Sequence, residues 1–87
     1  MKKMFGLNVS EDTFAFLTDI QDTLKGQFPL ELKCGNYGFL VEPSGVSLSI
    51  WHNNEEIACY ESFESFICQF KINGIPLSEL IEDLEYL

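Results

Sequence analysis

The sequence predicts a single α+β domain spanning residues 1–87, in the order α-β-β-β-α-α, with helices over one face of a three-stranded antiparallel meander. Three observations support this prediction. A capped amphipathic segment begins at Ser10, apolar and polar residues alternate between Tyr37 and Tyr60, and phenylalanines at helical spacing follow Ser62. A chain of this length builds one core, and neither a linker nor an internal repeat divides it.

The first predicted helix lies between Ser10, a suitable N-cap, and Gly26, a natural stop that Pro29 reinforces. Glu11 and Asp12 follow the cap, where the positive end of the helix dipole favours carboxylates. Apolar side chains recur along the segment at helical spacing: Phe14, Leu17, Ile20 and Leu24. This pattern predicts one buried face and one solvated face.

The predicted strands are Tyr37–Glu42, Val46–Trp51 and Glu56–Tyr60. A Pro-Ser-Gly turn at residues 43–45 and a His-Asn-Asn turn at residues 52–54 join them as consecutive antiparallel neighbours. Residues 30–34 alternate weakly and predict at most a short edge strand.

Trp51 lies on a different face of its strand from the aliphatic side chains. Val46, Leu48 and Ile50 share the predicted buried face, whereas Ser47, Ser49 and Trp51 share the other. If helices cover only the aliphatic face, Trp51 is partly exposed and suits an interface, where tryptophan is enriched. The alternative is that the first segment, around Phe5, covers it.

Two more helices are predicted in the last third of the chain. Ser62 caps the first of them, whose apolar residues are Phe63, Phe66, Ile67 and Phe70. Asn73-Gly74 is either its C-cap or a type I′ hairpin turn, and the phenylalanine spacing favours a C-cap at Gly74. The last predicted helix, about Pro76 to Tyr86, buries Leu77, Leu80, Ile81 and Leu84.

Negative charge is concentrated in the same third of the chain. The protein has 14 acidic residues, five lysines and no arginine, and residues 55–87 hold eight of the acids against Lys71 alone. Such a balance argues against direct binding of nucleic acid or of an anionic membrane, because both need clustered cations. If the last two helices pack side by side, one negative surface forms from Glu55, Glu56, Glu61, Glu64, Glu79, Glu82, Asp83 and Glu85.

No pattern of catalytic, cofactor-binding or metal-binding residues is present, so the sequence predicts a protein that is not an enzyme. His52 with a cysteine is the only conceivable nucleophile–base pair, and a surface-turn histidine beside core thiols explains the same residues. Three widely spaced cysteines, Cys34, Cys59 and Cys68, are typical of buried thiols in a reducing cytosol. The N-terminal residues predict neither a signal peptide nor a transmembrane helix, and we expect a cytoplasmic protein.

The acidic surface favours binding to a basic protein, such as a nuclease or another protein that normally holds nucleic acid. The predicted partner-binding residues are the eight acids of residues 55–87 together with Trp51. Two alternatives stay open. The acidity serves solubility alone, or the chain is a small structural or regulatory subunit, either a homo-oligomer built through Trp51 and Tyr37 or an immunity-type protein.

The stretch ESFESFICQFKINGI, within an acidic chain ordered α-β-β-β-α-α, resembles the small phage anti-CRISPR proteins that act as DNA mimics. The resemblance covers about fifteen residues as sequence and most of the chain as architecture. It implies a CRISPR-associated nuclease as partner. It also implies that carboxylates occupy the site where the arginines of that nuclease read the DNA motif next to its target.

Overall fold

The computed structural model describes residues 1–87 and contains two α-helices, nine strands and two 3₁₀ turns. The helices are α1 (Glu11–Lys25) and α2 (Phe63–Gln69). The strands are β1 (Lys2–Met4), β2 (Leu7–Val9), β3 (Leu30–Cys34), β4 (Tyr37–Ser44), β5 (Ser47–His52), β6 (Glu55–Tyr60), β7 (Lys71–Ile72), β8 (Ile75–Pro76) and β9 (Leu84–Tyr86). The 3₁₀ turns are Leu77–Glu79 and Ile81–Asp83. The predicted α+β class is confirmed.

The main sheet has five antiparallel strands in the order β6-β5-β4-β3-β9, two more than predicted. β3 pairs with β4 along its whole length, and β9 then pairs with β3, so that Leu84 lies opposite Cys34 and Tyr86 opposite Leu32. The segment from Leu30 to Cys34 is therefore an inner strand and not an edge. Its weak alternation reflects short strand length and partial burial at three of its five positions.

The helix α1 follows the sequence prediction closely. The Ser10 hydroxyl accepts a hydrogen bond from the Thr13 backbone N–H at 3.1 Å, and the helix ends at Gly26, whose N–H donates to the Asp22 carbonyl. Leu17, Ile20 and Leu24 are buried against the sheet. Local signals determine both ends of this helix, which is why they could be read from the sequence.

Both helices contribute to one core on the same face of the sheet. Phe66 of α2 is fully buried, with its ring centroid 6.2 Å from that of Phe39 in β4 and 5.7 Å from that of Phe70. Leu48 and Ile50 of β5 join this cluster, as their alternation predicts. Val46, which was predicted to join them, is 81% exposed because it lies in the tight turn before β5.

Asn73-Gly74 forms a hairpin turn, so the predicted helix C-cap at Gly74 is wrong. Asn73 (φ 54°) and Gly74 (φ 81°) both have positive φ, and they join β7 to β8. The helix ends earlier because Phe70 takes an extended conformation (φ −65°, ψ 130°), and its carbonyl accepts from the Leu77 N–H at 2.7 Å. Phe70 is buried without being helical, so its spacing was misleading.

The predicted last helix, Pro76 to Tyr86, is also wrong, and with it the order α-β-β-β-α-α. Two 3₁₀ turns and β9 replace the helix, and Leu77, Ile81 and Leu84 are buried all the same. Spacings of three and four residues fit successive 3₁₀ turns as well as an α-helix. Pairing with β3 satisfies backbone N–H and C=O groups of residues 84–86. A short helix over the same residues would leave the carbonyl groups of its last turn without partners.

A further hairpin, β1–β2, has no counterpart in the sequence prediction. Its turn residues, Phe5 and Gly6, have φ of 52° and 81°. The Phe5 ring contacts Phe63 at 5.9 Å between centroids, on the helix side of the molecule. The predicted alternative in which the segment around Phe5 covers Trp51 is therefore wrong.

Replacing Gly74 with alanine tests the β7–β8 turn. No heavy atom lies within 4 Å of a Cβ built at Gly74, so the cost arises from its positive φ alone. We expect the free energy of unfolding to fall by about 1 kcal/mol and the melting temperature by about 4–8 °C. Gly38→Ala is the control, since its Cβ would meet only ordinary contacts at 3.6 Å and beyond. Equal melting temperatures for the two variants would contradict the turn assignment.

Candidate functional site

The sheet face that points away from both helices is uncovered. Cross-strand partners point to the same side, so the strand register defines this surface, which we call the open face. The open face consists of Glu31, Lys33, Gly38, Leu40, Glu42, Ser44, Ser47, Ser49, Trp51, Glu56, Cys59 and Glu85, together with Leu87, whose side chain lies beside Gly38. None of these residues belongs to the buried core cluster.

Trp51 lies in a row of side chains that crosses the open face. Its partner in β4 is Leu40, and its partner in β6 is Glu56. Glu31 continues the row in β3, and beyond it the Leu87 N–H donates to the Glu31 carbonyl at 3.0 Å. Trp51, Leu40 and Leu87 line a shallow groove of about 380 Å³. The apolar side chains of Trp51, Leu40 and Leu87, which we call the apolar centre of the open face, therefore lie in a concave groove next to the polar residues Glu31, Asn53 and Asn54.

The indole of Trp51 is half-buried in this groove, and its Nε1 atom is buried with no hydrogen-bond partner. Leaving such a donor unpaired typically costs about 1–3 kcal/mol. Trp51 is thus neither fully covered nor freely solvated. Of the side chains in the apolar centre of the open face, it is the one that carries an unused hydrogen-bond donor.

The charged side chains of the open face are mostly acidic. Four carboxylates, Glu31, Glu42, Glu56 and Glu85, share the surface with one ammonium group, Lys33. The formal charge of the open face is therefore −3. All four carboxylates are exposed, whereas Lys33 is half-buried between its partners in β4 and β9.

The eight acids predicted to form a single negative surface are divided into separate groups. Glu55 and Glu56 begin β6, and Glu85 lies in β9, at the opposite edge of the five-stranded sheet. Four inter-strand spacings separate these edges by about 19 Å. Glu61 and Glu64 lie around the start of α2, beyond the opposite end of β6 from Glu55 and Glu56. The condition for a single surface, two C-terminal helices side by side, is not met.

Three of the nine predicted partner-binding residues lie on the open face: Trp51, Glu56 and Glu85. Glu55 is opposite His52 and points to the other side of the strand. Sequence reasoning missed Glu31 and Glu42, which share the open face with Trp51. The alternation within β4 was enough to place Glu42 on the same side as Leu40. Glu31 could be placed there only if β3 was recognised as an inner strand.

The acids of the 3₁₀ turns precede β9 in the chain, and one of them has a structural role. Glu82 accepts a hydrogen bond of 2.7 Å from the Thr13 hydroxyl, which in turn accepts one of 3.0 Å from Ser10. Thr13 is buried, so this chain of bonds ties the start of α1 to the C-terminal segment. Asp83 lines a groove with Cys34 and Ile72, and Glu79 is exposed in the first 3₁₀ turn.

The thiols are more exposed than predicted. Cys59 and Cys68 are exposed, because they lie on the outer sides of β6 and α2, and only Cys34 is partly buried. Burial raises the pKa of the Cys34 thiol above its usual range, and the nearby Asp83 carboxylate raises it further. The Cys34 Sγ lies 3.7 Å from the Leu80 carbonyl, to which it donates a weak hydrogen bond.

His52 has a structural environment at the end of β5. Its ring stacks on Tyr37 with centroids 4.2 Å apart, and Nδ1 lies 2.8 Å from the Gly38 carbonyl oxygen. Nε2 faces the Asn53 amide at 3.3 Å. Both ring nitrogens are therefore engaged with groups other than a thiol. No group of three or more histidine, cysteine, aspartate or glutamate side chains is arranged to hold a metal ion.

No helix of the chain has the length and apolar character needed to cross a bilayer. Comparison with known proteins finds no matching family model, no matching curated protein and no matching solved structure. The resemblance to anti-CRISPR proteins accordingly stays a prediction.

Thr13→Val tests the link between α1 and the C-terminal segment. The substitution keeps the shape of the side chain but removes the hydroxyl that donates to Glu82, and we expect the free energy of unfolding to fall by about 1 kcal/mol. Thr18→Val is the control, because Thr18 lies on the same helix and is half-buried. Chemical denaturation measures both variants. A loss at Thr13 no larger than at Thr18 would show that the bond contributes nothing.

Titration of the native protein with a chromogenic disulfide reagent tests the thiol assignment. We expect Cys59 and Cys68 to react fast and Cys34 slowly, because the raised pKa of the Cys34 thiol leaves less thiolate at a given pH. The rate of the slow phase should rise with pH in the alkaline range, because more of the Cys34 thiol is then ionised. Cys34→Ser should remove only the slow phase. Three indistinguishable thiols would refute the assignment.

Proposed function

We propose that this protein is a non-enzymatic binding protein that docks its open face onto a basic protein of the kind that normally holds nucleic acid. The observation that carries the proposal is the composition of that face. An apolar centre at Trp51 and Leu40 is surrounded by four carboxylates and one ammonium group, and no element of the chain covers it.

The two parts of the open face support binding in different ways. Burial of Trp51, Leu40 and Leu87 supplies affinity, since large apolar side chains at the centre of an interface dominate its energy. The surrounding carboxylates attract a cationic partner from a distance and disfavour acidic ones, which gives specificity and a fast association rate.

The spread of the carboxylates is compatible with a surface that normally meets nucleic acid. Glu85, Glu31, Glu42 and Glu56 belong to four different strands, including both edges, and so extend over about 19 Å. One DNA strand places a phosphate about every 3.4 Å along its axis, and a groove that holds DNA is lined by lysine and arginine to match. Such a groove is the cation-rich target that we propose for the open face. The open face carries fewer negative charges over this length than a DNA strand does. Burial of its apolar centre must therefore also contribute to the affinity for the partner.

A small structural subunit that self-associates is a second candidate, favoured by one observation. β6 is a sheet edge with an exposed Ile57, and unpaired edge strands can pair with another chain. However, a register irregularity interrupts the pairing of β6 with β5 next to Trp51, and Glu55 and Glu56 place like charges on the same edge. Such features protect an edge from pairing. The open face is therefore the better-supported docking surface.

Capture from the source cell with matched charge variants tests the proposal. Glu31/Glu42/Glu56→Gln removes three charges from the open face, whereas Asp22/Glu64/Glu79→Asn/Gln/Gln removes three exposed charges elsewhere. We expect wild type and the second variant to capture a basic protein, and the first variant to fail to capture it. Added salt should elute the captured protein, and a DNA duplex should displace it. Recovery of a CRISPR-associated nuclease would also support the predicted family resemblance.

Three results would contradict the proposal. Equal recovery by both variants would mean that the open face is not the docking surface. Loss of the partner with the second variant alone would favour the acids of the two helices and the first 3₁₀ turn. A self-association detected by light scattering, with no basic partner captured, would favour the structural subunit.

Trp51→Ala should weaken the capture even at low salt, because the apolar centre acts independently of charge.

A further inference from the structure

A second groove lies on the helix side of the molecule, at the end of the sheet where β4 turns into β5. Its floor consists of Leu24 from α1, Leu48 from β5 and Phe63 from α2, three side chains that also belong to the core. The cavity volume is about 380 Å³, within the range of small-molecule sites. Val46 forms part of the wall and is 81% exposed, so it has no partner within the chain.

Hydrogen bonds between two of the lining residues define one side of this groove. The Gln27 side-chain amide donates to the Gly45 carbonyl at 2.8 Å, and its oxygen accepts from the Gly45 N–H at 2.9 Å. Gln27 and Gly45 both have positive φ, of 66° and 63°. The paired bonds hold the β4–β5 turn next to the end of α1, so the groove is an ordered feature of the fold.

The charge that lines this groove is opposite in sign to that of the molecule. Lys25 is the only charged residue among the nine that line it; the rest of its rim comprises Gln21, Gln27, Gly45 and Ser62, all neutral. The chain as a whole has 14 acids against five lysines. An apolar floor beneath a single ammonium group complements a ligand that has an apolar body and one negative charge.

We propose that this groove, lined by Lys25, binds a small amphipathic carboxylate. The apolar body of the ligand lies on Leu24, Leu48 and Phe63, and its carboxylate pairs with the Lys25 ammonium. This site shares no residue with the open face, so the inference is independent of the proposed function. The Lys25 side chain is exposed, and the ion pair therefore supplies a modest part of the affinity, while apolar burial supplies the rest.

Titration of the ¹⁵N-labelled protein with octanoate, followed by NMR, tests the inference, with octanol as the uncharged probe. We expect saturable shift changes at the amides of Leu24, Lys25, Gly45 and Val46, and weaker binding of octanol. Lys25→Gln should weaken octanoate binding by about threefold to fivefold, as for an exposed ion pair. Lys71→Gln, an equal change of charge at an exposed lysine outside the groove, should leave it unchanged.

A variant that fills the groove is the second test. Gln21 is half-buried on α1 and lines the groove, so Gln21→Phe should place a ring where the ligand body lies and abolish octanoate binding. Absence of shift changes in wild type, or changes centred on other residues, would overturn the inference, whether or not the variants fold. Equal affinity for octanol, or an equal effect of Lys71→Gln, would show that Lys25 does not recognise a carboxylate.

Discussion

The antiparallel pairing of β9 with β3 is the constraint on which the rest of the structure depends. It converts β3 from an edge into an inner strand and brings Leu84 into the core. The same segment places Glu85 and Leu87 on the side of the sheet away from the helices, and it carries Glu82 to the hydroxyl of Thr13. Core, helix start and open face are therefore all assembled by one short strand, whose three backbone partners are its main anchor.

One-sided coverage of the sheet explains why the molecule has an open face at all. Two helices, of 15 and 7 residues, cover the aliphatic and aromatic side of the five strands. No other α-helix is present to cover the reverse side. Antiparallel sheets tolerate this arrangement when the solvated side is polar. Here that side is polar except around Trp51, and the exception is what distinguishes a candidate interface from an ordinary solvated face.

Local signals were enough to predict α1 and the alternation of β5, because a capping hydroxyl at Ser10 and a period of two at Leu48 and Ile50 need no distant partner. The short strands could not be predicted in this way. β9 contains three residues and exists only through its pairing with the distant β3, whereas β7 and β8 contain two residues each and pair with each other across Asn73-Gly74, a sequence that also fits a helix C-cap. Phe70 shows the difficulty, since a residue can match helical spacing and still be buried in an extended conformation. The face of Trp51 was predictable, but the carboxylates around it required the register of the sheet.

The two proposed sites differ in the sign of the charge that each would recognise, although one net-negative chain carries both. The field of the whole molecule attracts a cationic protein to the open face and repels an anionic ligand from the groove lined by Lys25. Added salt screens both effects beyond about a Debye length, so it weakens the first interaction and relieves the repulsion acting on the second. Affinity in the groove must therefore come chiefly from the floor of Leu24, Leu48 and Phe63, with Lys25 selecting which end of a ligand faces solvent. In both proposals, apolar burial supplies the affinity and charge determines which partner is accepted.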